Sequence, residues 1–170
     1  MQTPTQLPVL VVMGASGSGK STVAELLAKR LGWEFAEGDD LHPESNKAKM
    51  AAGQPLDDED REPWLARVAA WTRAHTEAGV PGVITCSALK RAYRDMLRGE
   101  HVVFVFLAGT REQLADRLSD RHRHFMPDSL LDSQLGDLEP PSPDERSVTV
   151  GILGAPAEVA AEVVTRLGLG

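Results

Sequence analysis

The stretch GASGSGKS, Gly14 to Ser21, stands between the apolar run PVLVVM and a segment whose apolar residues Val23, Leu26, Leu27 and Leu31 fall at helical spacing. It matches G-x-x-x-x-G-K-[ST] in the strand-to-helix setting that this motif requires. Gly14, Gly17 and Gly19 let the backbone turn tightly, so that successive N–H groups converge on phosphate oxygens. The start of the following helix adds its partial positive charge. Lys20 can reach the β- and γ-phosphates, and the Ser21 hydroxyl can ligate Mg²⁺. A flexible glycine–serine turn would need neither the strand before nor the helix after. The nucleotide-binding set is therefore Gly14, Ala15, Ser16, Gly17, Ser18, Gly19, Lys20, Ser21 and Thr22, and the ligand a nucleoside triphosphate. Guanine recognition calls for N-K-x-D late in the chain. The NKAK at Asn46 ends in Lys49 and comes too early, so ATP is expected.

Further along, β-prone apolar runs alternate with helical patterns. WEFAEG, PGVITCS, HVVFVFLAG and RSVTVGI read as strands after the first one. Between them PESNKAKMAAG, a longer helix beginning a few residues before Pro63, KRAYRDMLRG, TREQLADRLSDR with Thr110 as N-cap, and PDSLLDSQLGDLE read as helices. A last helix runs from about Pro156 to Leu167. Such alternation predicts an α/β fold with a parallel sheet covered by helices on both faces, its ligands beyond the carboxyl ends of the strands. The 170 residues suit one domain, expected to span 1–170.

Composition narrows the function classes. A net charge of −7 argues against a general nucleic-acid binder. The basic clusters KRAYRDMLR and RLSDRHRH on an acidic chain suit a small anionic ligand instead. VVFVFLAG is too short to span a bilayer, and MQTPTQLP lacks the basic start and apolar run of a signal peptide. The single cysteine, Cys86, excludes an internal disulfide, fits a reducing compartment, and is expected as a small buried hydrophobe. A cytoplasmic protein without membrane partner is expected.

The second strand ends in EGD. On an extended chain alternate residues share a side, so Glu37 and Asp39 are expected to face the phosphate loop together. One carboxylate would hold the magnesium hydration shell and the other accept the proton of an acceptor hydroxyl. An acidic loop in water is the competing reading, which the neighbouring phosphate loop disfavours.

GASGSGKST, GDDLHPESNKAKMAAGQPLDDEDREPWL, CSALKRAYRDMLR and RLSDRHRHFM, in this order and spacing, resemble the bacterial gluconokinase family from about Val9 to the fifth strand. The resemblance implies a nucleoside-monophosphate-kinase-like P-loop fold, a five-stranded parallel sheet in the order 2-3-1-4-5 with a lid at about residues 121–140, and a homodimer. It implies ATP- and Mg²⁺-dependent phosphorylation of the 6-hydroxyl of D-gluconate. On this family pattern Asp39 is the contact and base for the acceptor hydroxyl, and His42 of L-H-P shapes the sugar-acid pocket. Arg61 and Lys90 are the cations near the acceptor, with no evident helical ion-pair role. Arg94 joins them, while Tyr93 and Arg98 match the signature or brace the site. Arg117 stacks on adenine, and Arg121 approaches the transferring phosphates; Arg123 carries little weight. Glu37 stands where related kinases carry aspartate, and its extra methylene implies a water-bridged metal contact. Met50, Trp64 and Trp71 are expected in the core. A different acceptor, another sugar acid or a shikimate-like hydroxy acid, and an ATP-dependent switch remain as alternatives.

Overall fold

A computed structural model describes residues 6–119 and 128–169. Five parallel strands form one sheet in the order β2-β3-β1-β4-β5, the order that the resemblance implies. They are β1 (Val9–Met13), β2 (Glu34–Ala36), β3 (Gly82–Thr85), β4 (Val102–Ala108) and β5 (Ser147–Gly151). The helices are α1 (Lys20–Leu31), α2 (Glu44–Ala51), α3 (Asp58–Ala78), α4 (Arg91–Leu97), α5 (Arg111–Ser119), α6 (Asp128–Asp137) and α7 (Pro156–Leu167).

β1 is buried along its whole length, which is why its sequence is continuously apolar. Leu10 and Val12 pack with Val23 and Leu27 of α1 and Val159 and Val163 of α7. Val9, Val11 and Met13 turn to the opposite face, against Trp64, Leu65 and Val68 of α3 and Tyr93 and Leu97 of α4. The strand alternation thus builds one core on each side of the sheet.

Local signals set the helix ends near the site. In α3, Asp57 accepts from the Asp60 N–H at 2.7 Å while the Asp60 carboxylate accepts from the Asp57 N–H at 3.0 Å, a reciprocal cap. α3 starts five residues before Pro63, whose ring sits on the exposed side. Thr110 caps α5 in the same way, exchanging hydrogen bonds with Gln113 at 3.1 and 3.0 Å. Of the expected lid, residues 121–127, with Arg121 and Arg123, lie outside the described residues, and 128–137 form α6. Among the described residues, no helix is long and apolar enough to cross a membrane.

Candidate active site

The loop Gly14–Gly19 joins β1 to α1 at the carboxyl end of the sheet. Gly17 has φ +88°, and a Cβ there would meet the Leu114 carbonyl of α5 at 2.8 Å, so the loop closes this tightly only around glycine. The Lys20 ammonium folds back over the loop and donates to the Gly14 and Ala15 carbonyls at 2.9 and 3.3 Å. Ala15 and Ser18 are buried, the Ser18 hydroxyl with no hydrogen-bond partner among the described residues, whereas Thr22 on α1 is exposed. Arg117 of α5 donates to the Ile152 carbonyl, and its Nη1 lies 3.5 Å from where a Cβ on Gly19 would stand. That arginine therefore borders the phosphate loop.

The strand-end carboxylates do not lie along one extended strand. β2 stops at Ala36, Glu37 is extended, and the chain then turns into a 3-10 helix over Gly38–Leu41. The cause is Gly38: a Cβ there would sit 1.8 Å from the Thr85 carbonyl oxygen of β3. Its N–H donates to Thr85 Oγ1 at 2.9 Å, and its carbonyl accepts from Trp64 Nε1 at 2.8 Å. This pinned turn sends the two carboxylates to different partners. Glu37 accepts from the Ser21 hydroxyl at 2.6 Å and from the Thr85 hydroxyl, beside the loop. Asp39 instead opens on a cleft of about 90 Å³ that Lys20 and Ser16 also line.

Ser21 and Glu37 meet the chemistry that Mg²⁺ requires, a neutral and a charged oxygen donor held side by side. Among the described residues no group of three or more His, Cys, Asp or Glu could cage a metal. An ion at this place would take its remaining ligands from phosphates and water, the usual arrangement for Mg²⁺.

The far wall of the cleft comes from α2, α3, α6 and the loops around them. His42 is buried, stacked on Trp64 with ring centroids 4.1 Å apart. Burial, with Arg61 and Lys47 nearby, pushes its pKa down to about 4. Asn46 Nδ2 donates to the Asp60 carbonyl at 2.7 Å, which fixes the amide orientation, and also faces His42 Nδ1 at 3.1 Å. Nδ1 of the neutral ring is thus the acceptor, and Nε2 carries the proton. Arg61 is also buried; its Nη1 donates to the Tyr93 hydroxyl at 2.8 Å and to Asp137 at 3.0 Å. Its Nε and Nη2 have no hydrogen-bond partner among the described residues.

Lys90 does not line this cleft. It borders an adjoining hollow of about 310 Å³, which shares Arg61, and pairs with Asp58 at 3.0 Å. The Tyr93 hydroxyl and Lys90 together hold the Asp58 carboxyl below the usual carboxylate range. Both acceptor-side cations predicted from the sequence therefore have ion-pair partners, on elements distant in the chain. Arg94 lies away from the cleft, at 1% exposure, and forks onto Glu145 at 2.6 and 3.2 Å. Its Nη1 donates at 2.8 Å to the carbonyl of Ala88, a non-glycine residue held at φ +45°. This clamp fixes the loop whose Ser87 carbonyl accepts from the Gly14 N–H at 3.3 Å. Burial pushes the Glu145 carboxyl up, but Arg94 and the Ser142 N–H outweigh it and hold it low.

The expected core residues divide. Cys86 is buried, and burial pushes its thiol up to about 12. Trp71 stacks on His75 at 3.8 Å. Trp64 is buried in the core as expected and also borders the cleft, whereas Met50 of α2 is half-buried and lines the cleft. Arg98 is exposed and pairs with Asp95 at 3.5 Å. Sequence reasoning passed over Ser87, Ser133 and Gln134, all at the cleft. Gln134 Oε1 accepts from the Ser16 N–H at 2.7 Å, a contact across 118 positions that no local pattern announces.

The shikimate kinase family profile matches residues 16–142. Over 157 residues the chain is 53% identical to a gluconokinase of Gluconobacter oxydans, an alignment covering 91% of this chain and 88% of that one. The crystal structure of a gluconokinase from Sinorhizobium meliloti superposes with a TM-score of 0.89 at 45% identity, covering 97% of this chain and 94% of that one. The unliganded structure of a sugar kinase from Janibacter gives a TM-score of 0.90 at 46% identity, with 96% of each chain covered.

Proposed function

The chain belongs to the gluconokinase family, and on that premise we propose that it transfers the γ-phosphoryl group of ATP to the 6-hydroxyl of D-gluconate, giving ADP and 6-phospho-D-gluconate. The observation that carries this reading is a single cleft with Lys20 of the phosphate loop, the Asp39 carboxylate and the Arg61 guanidinium on its walls.

The loop N–H groups and the amino end of α1 hold the phosphates, and Lys20 exchanges the Gly14 and Ala15 carbonyls for the β- and γ-phosphate oxygens. Asp39 accepts a hydrogen bond from the acceptor hydroxyl and takes its proton as the oxygen attacks phosphorus, while ADP leaves in line. Neutral His42 donates from Nε2 to a hydroxyl of the acceptor chain. Arg61 offers Nε and Nη2 to the C1 carboxylate, with Lys90 adding positive charge from the adjoining hollow. Arg117 borders the nucleotide, and Arg121 is assigned to the transferring phosphates. Ser21 directly and Glu37 through water would hold Mg²⁺, which would supply charge neutralisation for the phosphates.

The proposal extends to one kinase domain over residues 1–170, with a lid at about 121–140, acting as a homodimer in the cytoplasm. The buried free thiol of Cys86 supports a reducing compartment. ADP release is the test, measured with gluconate, other sugar acids, glucose, shikimate and nucleoside monophosphates in turn. Rapid release with gluconate is the expected result. Release at the same rate without any acceptor would make the protein a nucleotide switch, and a preference for shikimate would reassign the substrate.

A further inference from the structure

Gln54, Ser87, Ser133 and Gln134 are polar side chains of the cleft without a role in the phosphoryl transfer, and of these Gln134 is bonded to the phosphate loop. Gln134 projects from α6, and its Oε1 accepts from the Ser16 N–H of the phosphate loop at 2.7 Å. Because the partner is an N–H, the atom on that side of the amide must be oxygen. The Nε2 group is then the other terminus, with two donors and no partner among the described residues. Gln134, Ser16, Asp39 and Arg61 all line the same cleft.

The Ser16 contact is not what docks the helix. Leu131 of α6 is fully buried in the core. Asp132 pairs with Arg111 of α5 at 2.6 Å, and Asp137 pairs with Arg61 of α3 at 3.0 Å. Just beyond the helix, the Glu139 N–H donates to the Leu89 carbonyl at 2.7 Å. With α6 anchored on both sides of Gln134, its side chain is held in the cleft whether or not it bonds to Ser16.

A carboxamide is the side-chain group that accepts at one terminus and donates at the other. A carboxylate in its place would satisfy Ser16 but present only acceptors, and a negative charge, to an anionic ligand. We propose that Gln134 is an acceptor-binding residue, its carboxamide spanning from the Ser16 N–H to an oxygen of the bound sugar acid. The inference rests on the gluconate reading above and deepens it. It couples the two ends of the site directly, since the amide that steadies the acceptor is itself oriented by the phosphate loop.

Steady-state kinetics of the full chain, with gluconate and ATP varied independently, test the proposal in Gln134→Glu and Gln134→Ala. Gln134→Glu keeps an acceptor for Ser16 and loses both donors. Its KM for gluconate should rise about tenfold or more, while its KM for ATP stays within about twofold, as expected for one or two lost hydrogen bonds on the acceptor side. Gln134→Ala should raise the gluconate KM similarly. A wild-type gluconate KM in Gln134→Glu would overturn the proposal, because an oxygen for Ser16 would then suffice. Raised ATP KM with unchanged gluconate KM in both variants would overturn it too, placing the residue on the nucleotide side. Wild-type protein that fails to turn over gluconate would overturn the substrate reading itself. Wild-type turnover with unaffected variants would remove only Gln134.

Discussion

The two halves of the cleft are built in opposite ways. The phosphate end is made of main chain: consecutive residues from Gly14 to Ser21, shaped by glycine and aimed by the start of α1. The acceptor end is made of side chains from α2, α3, α6 and the 3-10 turn, elements tied to one another by the Asn46–Asp60, Arg61–Asp137 and Trp64–Gly38 hydrogen bonds. A triphosphate presents the same oxygens to any kinase, so a contiguous backbone cradle serves it. An acceptor with its own pattern of hydroxyls and charge needs donors brought together from several elements, and therefore needs bracing.

That contrast can be broken most severely at Arg94, which touches no ligand in this account. It holds the Ala88 turn and neutralises Glu145 at 1% and 6% side-chain exposure. Arg94→Met should cost about 3–5 kcal/mol of stability, because Glu145 is left buried without its counter-charge, keeping only its hydrogen bonds from Ser142. Urea unfolding reads this directly. A loss within about 0.5 kcal/mol would show that the Ala88 loop beside the cleft does not depend on this remote clamp.

Next in size are the paired variants Lys20→Ala and Asp39→Asn, one from each half. Lys20→Ala should lower kcat by about a hundred- to a thousandfold through lost charge on the transferring phosphoryl group. Asp39→Asn should lower kcat by about a hundredfold with ATP binding little changed. Weakened ATP binding at normal kcat in Asp39→Asn would move that residue to the nucleotide half. Titration with a non-hydrolysable ATP analogue separates the two outcomes.

The same contrast explains what could be read in advance. The phosphate loop was legible because its chemistry is contiguous; the parallel sheet followed from strand–helix alternation, and its strand order from the family resemblance alone. The direction of Glu37 and Asp39 was not. Alternation along a strand assumes that the strand continues, whereas the close approach of Gly38 to Thr85 ends it and starts a turn. A glycine followed by two aspartates at a strand end was the available signal. Arg94 matched the family signature but gave no hint of Glu145, which lies 51 residues on. Gln134 was equally silent, as an ordinary polar residue in a helix whose partner sits across the fold.

A smaller effect sharpens the picture at His42. Its pKa in the folded chain is about 4, below the ordinary 6.5, so the unfolded chain binds the extra proton between those values. The stability it contributes is complete above about pH 6.5 and is lost as the pH falls towards 4. His42→Asn should therefore flatten the decline of Tm between pH 6.5 and pH 4 relative to wild type. Parallel Tm curves would mean that His42 is not held neutral by its surroundings.

The central claim is that the side-chain half of the cleft selects a sugar acid, and kcat/KM for gluconate and for glucose, in wild type and Arg61→Ala, tests it most directly. Both acceptors carry a 6-hydroxyl, but only gluconate carries a carboxylate for Arg61. Wild type should use gluconate far better than glucose. Arg61→Ala should lose about ten- to a hundredfold on gluconate, mostly in KM, and change little on glucose. Equal use of the two acceptors by wild type, or equal losses on both in Arg61→Ala, would contradict the account.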